Sequence, residues 1–177
     1  FHVSARRLVG EREERLERGQ RRLSFGVRFL DDALGGVMPH DLVLVGAKTG
    51  AGKTSLLTGI AKHNTTLGRR VHYFALEAED REIERRMKYR ILAELYYRGA
   101  SAGAPRIRYA DWLDGQLDRL LGRYEEDADR QLAAALGMIK TYYKSADFSG
   151  DDFVRILGEI AEETDLVILD HLHYVDT

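Results

Sequence analysis

DLVLVGAKTGAGKTSLLTGIA, residues 41–61, joins three patterns in a fixed order. Leu42 to Val45 is an apolar run of the length expected for a strand buried on both faces of a parallel sheet. Residues 47–54, AKTGAGKT, form a glycine-rich loop. From Lys53 onward Leu56, Leu57, Ile60 and Ala61 recur at helical spacing, and Gly68 marks the stop. A loop of this kind presents successive backbone N–H groups, and the following helix adds a partial positive charge at its N-terminus. Together they cradle phosphates. Gly50 and Gly52 take backbone angles closed to other residues and let phosphate oxygens approach. Lys53 reaches the terminal phosphates and Thr54 offers a hydroxyl to Mg²⁺. The cradle is read over Ala47, Lys48, Thr49, Gly50, Ala51, Gly52, Lys53, Thr54 and Ser55, with alanine at the first position where glycine is commoner. An ordinary tight turn is the competing reading, and the strand before and helix after argue against it.

The rest of the composition limits what such a loop serves. A chain of 177 residues suits one ordinary domain with a real core. Hydrophobic residues at 44% and charged residues at 32% fit a globular protein and argue against disorder. No apolar run approaches the roughly 20 residues of a membrane helix, so no membrane partner is expected. The formal net charge of −2 gives the whole chain no electrostatic bias toward nucleic acid, so any DNA contact must be local. With no cysteine there is neither a disulfide framework nor a thiolate metal site, which suits a reducing, cytoplasmic setting. The chain opens on Phe1 and shows no charged-then-apolar leader.

Residues 5–22, ARRLVGEREERLERGQRR, alternate both charge signs around Leu8, Val9 and Leu16. They predict a solvated helix, either an exposed tail or an arm for a neighbouring subunit, and charge pattern alone favours the tail. VRFLDDAL, between Gly26 and Gly35-Gly36, predicts a short helix whose Val27, Phe29, Leu30 and Leu34 cover a core edge. VHYFAL, from Val71, is a second strand ending at Glu77. In the helix that follows, Ile83, Met87, Ile91 and Leu95 recur every four residues, and Glu82 is set to pair with Arg86. Helical spacing returns at Leu113, Leu117, Leu120, Leu121 and Tyr124, then at Leu132 and Leu136, and Trp112 with the nearby tyrosines reads as packing. Ile139 to Tyr143 is a short strand, Ser149 caps the helix DDFVRILGEIAEE, and DLVILD is a further buried strand. Strands alternating with helices predict an α/β fold with a mostly parallel sheet flanked by helices.

Hydrolysis at a phosphate cradle needs a carboxylate for the hydrated metal and another group to activate water. Asp170 ends the strand LVIL and Glu77 ends VHYFAL. The carboxyl ends of parallel strands line the ligand crevice, so both side chains emerge near the loop. Asp170 is read as the ligand to Mg²⁺. By position alone Glu77, Glu79 and Asp80 are comparable as the water-activating acid. Asp170, His171 and His173 also raise a transition-metal reading, but neighbours at a strand end point in different directions and no third histidine follows at ligand spacing.

GVRFLDDALGG, then DLVLVGAKTGAGKT, YFALE and LVILDH resemble the RecA-fold core of DnaB-type replicative hexameric helicases, including phage primase-helicases. The likeness runs from about Ser24 to Asp176. The phosphate loop is common to many ATPases; an aromatic-apolar-Leu-Glu strand after its helix, at this spacing to DH, is more selective. The resemblance implies a RecA-like P-loop domain using ATP and Mg²⁺, working as a homo-oligomeric, hexameric ring on single-stranded DNA. It assigns Lys53 and Thr54 as the loop lysine and metal hydroxyl, Glu77 as the catalytic glutamate and Asp170 as the second-motif aspartate. It also implies a division into a linker helix over 1–22, packing on the adjacent subunit, and an ATPase core over 23–177.

In the family, further strands, a phosphate sensor, DNA-contacting loops and an arginine for the neighbour's site follow the second motif. The expectation is therefore a piece of a longer core, inactive alone, whose sheet exposes apolar edges. Two other functions fit the same residues: a recombinase or clock-type switch that hydrolyses ATP to change assembly, and a nucleotide-dependent interaction module.

Overall fold

The computed structural model describes residues 5–144 and 148–171, with side chains from residue 10 onward. Among these residues the sheet has three strands: β1 (Val71–Ala75), β2 (Ile139–Tyr143) and β3 (Leu166–Asp170). They lie in the order β2-β1-β3, and both pairings are parallel. Parallel neighbours need long crossovers, which the helices provide. The first runs through α4 (Glu82–Gly99), α5 (Tyr109–Leu113), α6 (Asp118–Leu121) and α7 (Glu125–Leu136), and the second through α8 (Gly150–Ile160). Before β1 come α1 (Ala5–Gln20), α2 (Arg28–Leu34) and α3 (Lys53–Thr66). The alternation expected from the sequence is present.

Central position makes β1 the most buried strand: Val71, Tyr73, Phe74 and Ala75 are almost wholly inaccessible. Ala61 of α3, Ile83 and Met87 of α4, Ala135 of α7 and Ile168 of β3 close over the Tyr73 face. On the opposite face Phe74 stacks on Tyr142, with ring centroids 4.5 Å apart, and meets Phe153 of α8 edge-on. The four-residue repeat in α4 is buried as expected at Ile83, Met87 and Ile91, while Leu95 is only partly covered and Leu92 and Tyr96 complete a second cluster with Ile107, Leu121 and Ala128. Arg86 and Glu82 pair at 2.6 Å. Tyr89, Tyr109 and Trp112 pack on one another beside that cluster, in keeping with a packing role. Ser149 caps α8 through a box: its hydroxyl accepts from the Asp152 N–H while the Asp152 carboxylate accepts from the Ser149 N–H.

Two expectations fail. Leu42 to Val45 is not a strand: it pairs with nothing among the described residues, and Leu42 and Leu44 are 97% and 84% exposed. A strand buried on both faces needs a hydrogen-bonded neighbour and a layer on each side. Here the segment faces the unpaired edge of β3 across a cavity, and no described layer covers Leu42 and Leu44. Likewise α2 buries none of its residues, and Phe29 and Leu34 stand 70% and 63% exposed. Polar contacts hold it: the Asp31 carboxylate accepts from the Ser24 hydroxyl at 2.8 Å and the Phe25 N–H at 2.7 Å. The stretch before it is pinned to α3 by buried Asn64, which accepts from the Ser24 N–H and donates to the Ser24 carbonyl. Along α1 the side chains from Glu11 to Gln20 are exposed, as a solvated helix requires.

Candidate functional site

The loop begins where the 42–45 segment ends and closes into α3 at Gly52. Gly50 has φ 77° and Gly52 φ 98°, angles that a side chain makes costly. A Cβ added at either would meet nothing within 4 Å, so it is backbone conformation, rather than crowding, that calls for glycine here. Ala47 to Gly52 are exposed, and the first-turn N–H groups of α3 have no intrahelical acceptor. An exposed loop of this shape at the positive end of a 14-residue helix presents donors toward an anion. The Lys53 ammonium folds back across it and donates to the Ala47 carbonyl at 3.0 Å. Thr54 lies half-buried one residue further into α3, and Ser55 is exposed beside it. These donors, a hydroxyl and a nearby carboxylate are the chemistry that a magnesium-bound phosphate chain requires.

Beside the loop lies a cavity of about 390 Å³, bounded by Val43 to Val45, Thr49, Lys53, Leu57, Ile60 and the length of β3 from Leu166 to His171. Its wall is apolar where the 42–45 segment stands apart from β3. Thr49, Lys53 and Asp170 are among the polar residues of its lining, so the loop lysine and the aspartate at the end of β3 face one cavity.

Asp170 is 4% exposed, and its Oδ2 accepts a hydrogen bond from the Tyr73 phenol at 3.0 Å. Burial, followed by the charge of Asp170, pushes the Tyr73 phenol far up, which keeps it a donor. Thr58 of α3 meets the same phenol and donates its own proton to the Thr54 carbonyl at 2.7 Å. Glu77 stands two residues beyond the end of β1, with its side chain about half exposed and in contact with His171 Nε2. That nitrogen is also 4.0 Å from Asp170 Oδ1. His171 carries a φ of 74°, uncommon for a residue with a side chain. The neighbouring acids turn toward arginines, Glu79 to Arg85 of α4 at 3.8 Å and Asp80 to Arg81, the residue before α4, at 3.5 Å.

The structure thus brings Lys53 and Asp170 to one cavity, sets Thr54 next to Lys53 in the first turn of α3, and brings Glu77 into contact with His171, which lines the same cavity. Among the described residues no three histidine, cysteine or acidic side chains stand together as a transition-metal cluster, and His173 lies outside them. Sequence reasoning missed Tyr73 and Thr58 as partners of the site. A tyrosine at a core-facing position of a strand was the available signal, because a buried phenol needs a hydrogen-bond acceptor.

A parallel α/β sheet, a glycine loop opening a helix and carboxylates at adjacent strand ends define a RecA-like P-loop NTPase domain. Residues 23–112, half of the chain, match the family described as DnaB-like helicase C-terminal domain. The chain belongs to that family, and with it to the ATPase modules of replicative helicases. No curated protein matches the chain. The matched residues include the loop and Glu77; Asp170 lies beyond them.

Proposed function

We propose that this domain binds and hydrolyses ATP with Mg²⁺ and drives a hexameric helicase along single-stranded DNA. The observation that carries the nucleotide half is that Lys53 and Asp170 line one cavity beside the left-handed glycines of the loop. The loop N–H groups from Lys48 to Thr54 bind the phosphates, and Ser55 extends that first turn. Lys53 leaves the Ala47 carbonyl for the terminal phosphates. The Thr54 hydroxyl and the Asp170 carboxylate hold the metal, which when bound neutralises charge on the phosphates. Glu77 takes the proton of the attacking water. Its side chain is open to solvent, which suits that task.

The DNA and the ring rest on family membership. The exposed side chains of α1 from Glu11 to Gln20 support a division at residue 22, with 1–22 as an arm on the adjacent subunit and 23–177 as the ATPase core. Among the described residues no helix is long and apolar enough to cross a membrane.

The test is the ATPase rate of the full-length protein with and without single-stranded DNA, with Lys53→Ala as the blank. Strong stimulation by DNA is the expected result. A rate indifferent to DNA would move the reading to an assembly switch, and undiminished nucleotide affinity in Lys53→Ala would remove the loop assignment.

A further inference from the structure

Two motifs meet at the metal position, the loop that ends in Thr54 and the strand that ends in Asp170, and neither contains the group that connects them. In register, Tyr73 of β1 sits beside Ile168 of β3, and Ala75 sits beside Asp170. Tyr73 and Asp170 are therefore diagonal neighbours on one face of the sheet, the face that α3 covers. Diagonal Cα atoms lie roughly 7–8 Å apart, a span that a tyrosine side chain bridges. The phenol arrives 3.0 Å from Asp170 Oδ2. Both side chains are buried, Tyr73 completely. A carboxylate taken out of water is costly unless it accepts hydrogen bonds, so the phenol both stabilises Asp170 and restrains its rotamer through Oδ2, while Oδ1 lies 4.0 Å from His171 Nε2.

The contact continues on the other side of the phenol. Thr58 meets it from α3 and is hydrogen-bonded to the Thr54 carbonyl in the first turn of that helix. Thr54, Thr58, Tyr73 and Asp170 thus form a path between the two groups assigned to the metal, hydrogen-bonded at its two ends, where the half-buried Thr54 enters through its carbonyl, and joined in the middle by the approach of Thr58 to the phenol. From this we infer that Tyr73 is a positioning residue that sets the separation of the Thr54 hydroxyl and the Asp170 carboxylate and thereby tunes the affinity of the nucleotide site for Mg²⁺. The inference rests on the reading of Asp170 and Thr54 as metal ligands. Phenylalanine would fill the same volume and leave Asp170 without this donor.

The test is Tyr73→Phe in the full-length protein, with a fluorescent ATP analogue titrated in EDTA and then across Mg²⁺ concentrations. Affinity in EDTA should stay close to that of the parent, because the loop that binds the phosphates is untouched. The Mg²⁺ concentration at half-maximal tight binding should rise about tenfold, the size usual for loss of a partner behind a metal ligand. Turnover should return to within about twofold of the parent at saturating Mg²⁺. A purely packing role would leave the Mg²⁺ midpoint unmoved. That result, in a protein whose Lys53→Ala variant has lost nucleotide binding, overturns the inference and leaves the loop reading intact. Retained binding in Lys53→Ala would instead undo the site on which the inference rests. Should Tyr73→Phe fail to fold, Thr58→Val, which removes the hydroxyl beside the phenol together with its bond to the Thr54 carbonyl, carries the test: a rise in the midpoint is expected, and an unchanged midpoint overturns the inference.

Discussion

Asp170 and Glu77 are two carboxylates at the carboxyl end of one sheet, the first ending β3 and the second two residues past the adjacent parallel β1, yet their surroundings have little in common. Asp170 is buried and held by a phenol that is itself locked in the core. Glu77 is half open to water and touched by one histidine. The strands bring both acids to the crevice, and burial then separates their tasks. A group that holds a metal between turnovers gains from a fixed rotamer. A group that takes a proton from water and releases it again gains from solvent and from freedom to reset.

The largest expected effect falls on chemistry at the exposed member. Glu77→Gln keeps shape and removes basicity, so turnover should drop about 10²–10⁴-fold while ATP binding persists and the melting temperature stays where it was. Normal turnover would pass the role to Glu79, despite its lean toward Arg85. The buried member should report through stability as well. Asp170→Ala strands the Tyr73 phenol without its acceptor, at a cost of about 1–3 kcal/mol. For a chain of this length each kcal/mol lowers the melting temperature by roughly 2–4 °C. Glu77→Ala should shift it by about 2 °C or less, since surface changes stay within roughly 0.5 kcal/mol. Equal melting losses in the two alanine variants would erase the contrast.

Much of this was legible in the sequence because periodicity and punctuation are local. The period of α4, the cap of α8 and the strands around Tyr73 and Ile168 each follow from residues within a few positions of one another. What was not legible depended on partners far along the chain. The apolar run at Leu42 to Val45 calls for burial without naming what buries it, and here it stands beside a cavity. The same holds for Phe29 and Leu34, whose helix is secured instead by Asp31 and Ser24. At the site, Lys53, Thr54, Glu77 and Asp170 could be picked out from spacing and strand ends, whereas Tyr73 reaches Asp170 across 97 positions of chain, a contact that no local pattern encodes.

The smallest expected effect acts on a contact that joins the two acids. His171 follows Asp170 directly, touches Glu77, and holds a left-handed backbone. If the imidazole orients Glu77 toward the crevice, His171→Ala should lower kcat about three- to tenfold, leaving KM for ATP in place, since orientation of a base affects the transition state more than binding. His171→Gly removes the same imidazole but also relieves the backbone, where a Cβ costs roughly 1–2 kcal/mol. Glycine's greater freedom in the unfolded chain takes back about 0.4–1 kcal/mol of that gain. The two variants should therefore lose the same activity, while glycine melts no lower than alanine. A kcat that recovers in the glycine variant would show that the backbone angle, not the imidazole, places Glu77. A kcat that rises in both would show that His171 restrains Glu77, which would make the exposed acid the regulated one and the buried acid the constant one.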